Sequence, residues 1–135
     1  MKKKFTIEVS ENQLLSIMRS CEFMARLYMG QTEELRNIKS EEATNDINDY
    51  LKIKKITHPE LNANSYYSIH SDKIPNEARK LIDIHDSIRY FLAWDKADNT
   101  PETRRWPEQM QVYFDEVSHF DNEEELPIIK KKEIE

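Results

Sequence analysis

The chain has 135 residues, which fits one domain and leaves little room for a second. Its single glycine excludes a glycine-rich phosphate loop and a dinucleotide fingerprint, and its single cysteine excludes an internal disulfide and a cysteine zinc site, which points to a reduced, cytosolic protein. A net charge of −6 opposes wrapping DNA or RNA by bulk attraction but permits a local basic pocket, and no apolar run approaches the roughly 20 residues of a membrane span.

Residues 4–9, Lys4-Phe5-Thr6-Ile7-Glu8-Val9, alternate with period two. That pattern predicts a strand burying Phe5, Ile7 and Val9, rather than a signal peptide behind Met1-Lys2-Lys3-Lys4. Ser10-Glu11-Asn12-Gln13 reads as a capping box, in which the Ser10 hydroxyl accepts from the Gln13 amide and the Gln13 side chain reaches back. Leu14, Met18, Cys21, Ala25 and Tyr28 then follow helical spacing, widened by Ile17 and Met24. Leu35 and Ile38 continue the stripe past Gly30, so the pattern predicts one helix over about 11–38, with a kink or a close helix contact at Gly30 rather than a full stop.

Ser40 with Glu41 and Glu42 reads as a weaker helix start, with Ile47, Tyr50 and Leu51 facing inward and His58-Pro59 as a break. Residues 62–71 read as a loop that docks Tyr66, Tyr67 and Ile69. A second long helix over about 76–95 starts behind Pro75 and aligns Ala78, Leu81, His85, Ile88 and Leu92. Residues 111–117 alternate again and predict a second strand, whose natural partner is the first. The expected fold is therefore α+β and predominantly helical. Two long helices pack on a small antiparallel sheet formed by an N-terminal and a C-terminal strand. One compact domain covers residues 1–129, and a flexible charged tail covers 130–135.

Asp83, His85 and Asp86 share one helix, which supplies too few convergent ligands for a metal, so His85 reads as a histidine at the core's edge. His119 among Asp115, Glu116 and Asp121 reads as an exposed acidic rim, and Cys21 as a packed thiol with no activating neighbour. Neither a metal nor a cofactor is expected. The candidate binding set is made of arginines and aromatics. Arg26 and Gln31 bracket Gly30, Arg89 stands on the second long helix, Tyr66 and Tyr67 lie in the loop, and Arg104-Arg105-Trp106 comes after Pro101. Guanidinium groups bond phosphate with two prongs and aromatic rings stack on bases, so two helices side by side would border one ligand groove. The structural alternative pairs Arg26 and Arg89 with Glu22, Glu33 or Asp86 along their own helices and lays Trp106 over the core.

Three phrases carry a resemblance. They are Glu22-Phe23-Met24-Ala25-Arg26-Leu27-Tyr28-Met29-Gly30-Gln31 with Glu33-Glu34, then Asp83-Ile84-His85-Asp86-Ser87-Ile88-Arg89-Tyr90, then Val112-Tyr113-Phe114-Asp115-Glu116. Their order and spacing resemble a family of small bacteriophage accessory proteins of undefined function. The resemblance implies a phage-encoded, non-enzymatic antagonist of host antiviral defence, acting in the host cytoplasm. It would sequester a nucleotide-derived immune signal such as a cyclic nucleotide. The alternative is an acidic protein–protein inhibitor, or nucleic-acid mimic, that binds a host defence protein through Glu33-Glu34, Glu41-Glu42 and Asp121 to Glu125. No direct nucleic-acid or membrane contact is expected. The thin core predicts a homo-oligomer, a two-fold dimer by preference.

Overall fold

In the computed structural model, which describes residues 2–43, 46–97 and 116–133, helix α1 (Glu11–Tyr28) starts at its capping box. The Gln13 amide donates to Ser10 Oγ at 3.1 Å, and the Ser10 amide donates to Gln13 Oε1 at 2.8 Å. The helix does not run kinked to residue 38. Gly30 has φ +92°, its N–H donates to the Leu27 carbonyl at 3.0 Å, and the Gln31 N–H donates to the Arg26 carbonyl at 2.9 Å. These two crossed bonds are a Schellman cap, which consumes the last carbonyls and turns the chain away. The chain then continues as a 3₁₀ segment, Thr32–Ile38.

Helix α2 (Ile47–Thr57) is capped by Asp46, whose Oδ1 accepts from the Asn48 amide at 2.9 Å, so its start lies beyond Ser40. Tyr50 is buried, whereas Ile47 is exposed. The Thr32 hydroxyl donates to the Tyr50 carbonyl at 3.0 Å and locks the 3₁₀ segment onto α2. His58-Pro59 ends the helix as its composition demands.

Helix α3 (Asn76–Ala97) packs antiparallel to α1. Ala78 lies by Met29, His85 by Glu22, and Leu92 by Leu14 and Leu15. One core cluster centres on Ile88, Leu92 and Ala93 against the first half of α1, the other on Met29, Ile74 and Ala78 with Tyr67 and Ile69. Among the described residues no large side chain is fully enclosed.

The expected sheet is absent: no β-strand occurs among the described residues, and the fold is helical rather than α+β. Residues 2–9 make no backbone–backbone hydrogen bond with other described residues, and Phe5 and Ile7 are 87% and 72% exposed. The segment lies instead beside residues 123–132, in the same direction, held by side chains. Lys2 Nζ donates to the Glu123 carbonyl at 2.6 Å, Lys4 pairs with Glu125 at 2.9 Å, and Lys132 pairs with Glu8 at 3.1 Å. The alternation of Phe5, Ile7 and Val9 finds no core to enter because α1 and α3 spend their apolar stripes on each other. The second expected strand, residues 111–117, lies mostly outside the described residues, and Glu116 and Val117 are not in a strand.

The C-terminal segment is pinned at its start. Asp83 is 3% exposed, and its two oxygens accept from the amides of Phe120 at 3.0 Å and Asp121 at 2.9 Å. Asp121 in turn accepts from Asn76 Nδ2 at 2.6 Å and from the Glu123 amide at 2.9 Å. Burial alone would raise the Asp121 carboxyl, but the Glu123 amide, the Asn76 amide, Lys80 and His119 together hold it below the usual carboxylate range. A carboxyl depressed on folding stabilises the fold above its unfolded pKa and loses that contribution as pH falls through the folded value. The stability gap between the native chain and Asp121→Asn should therefore be widest near neutrality and close below about pH 4. Urea titrations of both proteins across that range check it, and a gap that widens in acid would overturn it.

Candidate functional site

Arg26 leaves the last turn of α1 and closes back over the Schellman cap. Its Nε and Nη2 bond Glu22 at 3.0 and 2.9 Å, and its Nη1 bonds Gln31 Oε1 at 3.0 Å, with Glu34 at 3.5 Å. Arg26 and Gln31 are thus brought together, as a brace across Gly30. The other Glu22 oxygen lies 3.1 Å from His85 Nε2, and His85 Nδ1 lies 2.8 Å from Asp86 Oδ1. A polar chain therefore crosses from α1 to α3. Arg89 sits one turn beyond His85 on α3, level with Met18, hence about 12 Å along the helix axis from Arg26.

Tyr67 is held at both ends. Its amide donates to the Met29 carbonyl at 2.8 Å and its hydroxyl donates to the Glu60 carboxylate. That bond pushes the Tyr67 phenol up to about 12 and draws Glu60 below the usual carboxylate range. Tyr66 is 58% exposed. Arg104, Arg105 and Trp106 lie outside the described residues.

Gly30 does admit a close neighbour, and that neighbour is Leu61. A Cβ at Gly30 would stand 2.5 Å from Leu61 Cδ1 and 3.5 Å from the His58 ring. Leu61 is also one wall of a cavity of about 520 Å³ between α2 and the loop after it. Leu51 and Ala63 extend its apolar wall, and Lys52, Lys54 and Lys55 supply its charge, with Asp46 and Asn48 at the helix start.

Lys54 distinguishes this cavity. The residue is 4% exposed, and its ammonium donates to the carbonyls of Ala63, at 3.3 Å, and Ser65. It makes no ion pair with a carboxylate among the described residues. A buried ammonium is expensive unless an anion compensates it, and two carbonyl dipoles satisfy only two of its three donors. The arrangement can hold one anionic group against an apolar wall, such as a phosphate attached to a flat ring. Sequence reasoning misses these residues. The signal that could have found them is the basic run Lys52-Ile53-Lys54-Lys55 inside an acidic chain.

Among the described residues no group of three His, Cys, Asp or Glu side chains is placed to hold a metal ion. Cys21 is buried, and burial together with the nearby Glu77 charge pushes its thiol up, away from the nucleophilic thiolate. A thiol reagent should therefore label native protein far more slowly than urea-unfolded protein, as a timed absorbance assay would show. Equal rates would contradict the packing. Among the described residues no helix is long and apolar enough to cross a membrane. Comparison with protein-family models, curated proteins and solved structures finds no match.

Proposed function

We propose that this is a phage-encoded, non-enzymatic binding protein that antagonises host antiviral defence in the host cytoplasm by sequestering a nucleotide-derived immune signal. The phage origin and the defence role rest on the resemblance of the three phrases. The observation that carries ligand capture is the buried Lys54 ammonium, unmatched by a carboxylate among the described residues, beside an apolar wall. A phosphate would compensate Lys54, with Lys52 and Lys55 adding contacts, while a base lies against Leu51 and Leu61. The volume of about 520 Å³ falls in the range of small-molecule sites. In this reading Arg26 acts through Gly30 and Leu61, holding the wall in place.

Calorimetric titration with cyclic di- and trinucleotides and cyclic ADP-ribose isomers tests the proposal. At least one ligand should bind, and Lys54→Met should weaken it roughly ten- to a hundredfold, the cost of a charged hydrogen bond. Met fills the space of the lysine stem but leaves the Ala63 and Ser65 carbonyls without their donor, so the melting temperature should fall by several degrees, and binding is compared well below the variant's melting point. No heat with any member of the panel would remove signal capture.

The runner-up, an acidic inhibitor of a host or defence protein, draws support from the exposed carboxylates of Glu41, Glu42 and Glu123–Glu125. It requires a host protein that is captured at low salt and released as salt rises. A pull-down from host lysate that recovers nothing at low salt counts against it.

A further inference from the structure

The N-terminal arm, residues 2–9, lies outermost in the fold. Residues 123–132 hold it from one side, through the Lys2 bond to the Glu123 carbonyl and the ion pairs Lys4–Glu125 and Lys132–Glu8. No backbone–backbone bond joins it to the described residues, while Phe5 and Ile7, two apart, stand 87% and 72% exposed. An unpaired backbone bearing an apolar row is a template for strand addition.

The charge order along the arm selects what can pair with it. Lys2, Lys3 and Lys4 stand at one end, and Glu8 and Glu11 at the other. A parallel copy would set lysine on lysine. An antiparallel copy sets positive on negative. We infer that the arm pairs with the same arm of a second copy, antiparallel about a two-fold axis at Thr6, to form a homodimer. In that register Lys4 faces Glu8 and Phe5 faces Ile7, each pair occurring twice, and Thr6 faces itself. Moving the axis to Ile7 would draw Ser10 and Glu11 into the ladder. Both are committed to starting α1, since Ser10 forms the capping box and Glu11 opens the helix. The axis at Thr6 confines the paired residues to 3–9. Lys4 and Glu8 keep Glu125 and Lys132 meanwhile, because an ammonium has three donors and a carboxylate two oxygens. The contact joins N-terminal arm to N-terminal arm and needs no C-terminal strand. It is also independent of the ligand-binding reading.

Light scattering of the full chain over a concentration series provides the first measurement. The mass should rise from 16.2 kDa toward twice that value. An interface this small fits a dissociation constant on the order of 10 µM. Ile7→Glu should remain monomeric throughout, with an unchanged melting temperature at low concentration, because Ile7 contributes little to the monomer. The second measurement is cross-linking. Cys21 is buried, so Thr6→Cys introduces the one accessible thiol. Opposed residues in an antiparallel pair are about 4.5–5.5 Å apart between Cα atoms, within disulfide reach. Mild oxidation should convert Thr6→Cys to a disulfide dimer much faster than Ser10→Cys. A mass of 16.2 kDa at every concentration up to about 1 mM would overturn the proposal, since even weak specific contacts associate there. So would an Ile7→Glu variant that dimerises like the parent, or equal cross-linking at the two positions.

Discussion

Asp83→Ala is expected to destabilise the protein by about 3–5 kcal/mol. The side chain is almost wholly buried, and it accepts two main-chain bonds, from Phe120 at 3.0 Å and Asp121 at 2.9 Å. Each bond to a charged acceptor contributes about 1.5–3 kcal/mol, and truncation leaves two amides near the core without their partner. The melting temperature of a chain this size should then fall by roughly 10 °C or more. Asp83→Asn keeps one oxygen acceptor but loses the charge, so it should fall between the parent and the alanine variant. Urea titration and thermal melts of the three proteins measure the series. Parental stability in Asp83→Ala would show that the C-terminal segment is held elsewhere.

Gly30→Ala should cost about 2–3 kcal/mol, from two separable sources. At φ +92° an L side chain is strained whatever the space around it, which accounts for about 1–2 kcal/mol. The added Cβ also meets Leu61 Cδ1 at 2.5 Å, and moving Leu61 disturbs a wall of the lysine-lined cavity. A double-mutant cycle with Leu61→Ala separates the two. The double variant should recover the collision and retain the backbone strain. Full additivity of the two single changes would mean that Leu61 does not press on Gly30.

A feature is legible in the sequence where its information is local. Ser10 and Gln13 sit three apart and satisfy each other, so the start of α1 can be read directly. The inner faces of α1 and α3 also emerge from spacing, with Ala25, Ala78, Ile88 and Leu92 buried. Gly30 stands out as the decision point, yet the pattern around it favours a kink. The helical composition of residues 31–38 outweighs the glycine there, although the two capping bonds decide otherwise. Period two at Phe5, Ile7 and Val9 marks a strand only if a core face remains for it. Whether one remains depends on how completely α1 and α3 pair, which no window of residues 4–9 contains. Lys54 escapes sequence reasoning for the same cause. Its burial is set by the carbonyls of Ala63 and Ser65, on a loop whose path the sequence does not state.

The pairing of α1 with α3 has a consequence for synthesis. The apolar face of α1 is complete once Tyr28 has been added, and the helix that covers it is complete only at Ala97. At about 5–20 residues per second the ribosome needs roughly 3–14 seconds to cross that interval. During that time Leu14, Leu15 and Met18 lack Ile88, Leu92 and Ala93, against which they pack in the finished fold. The nascent chain therefore presents a sticky amphipathic helix to chaperones and to sister polysomes before it can fold. A ribosome-stalled chain ending before α3 should bind chaperones that recognise exposed apolar helices, and one extended well past Ala97 should release them.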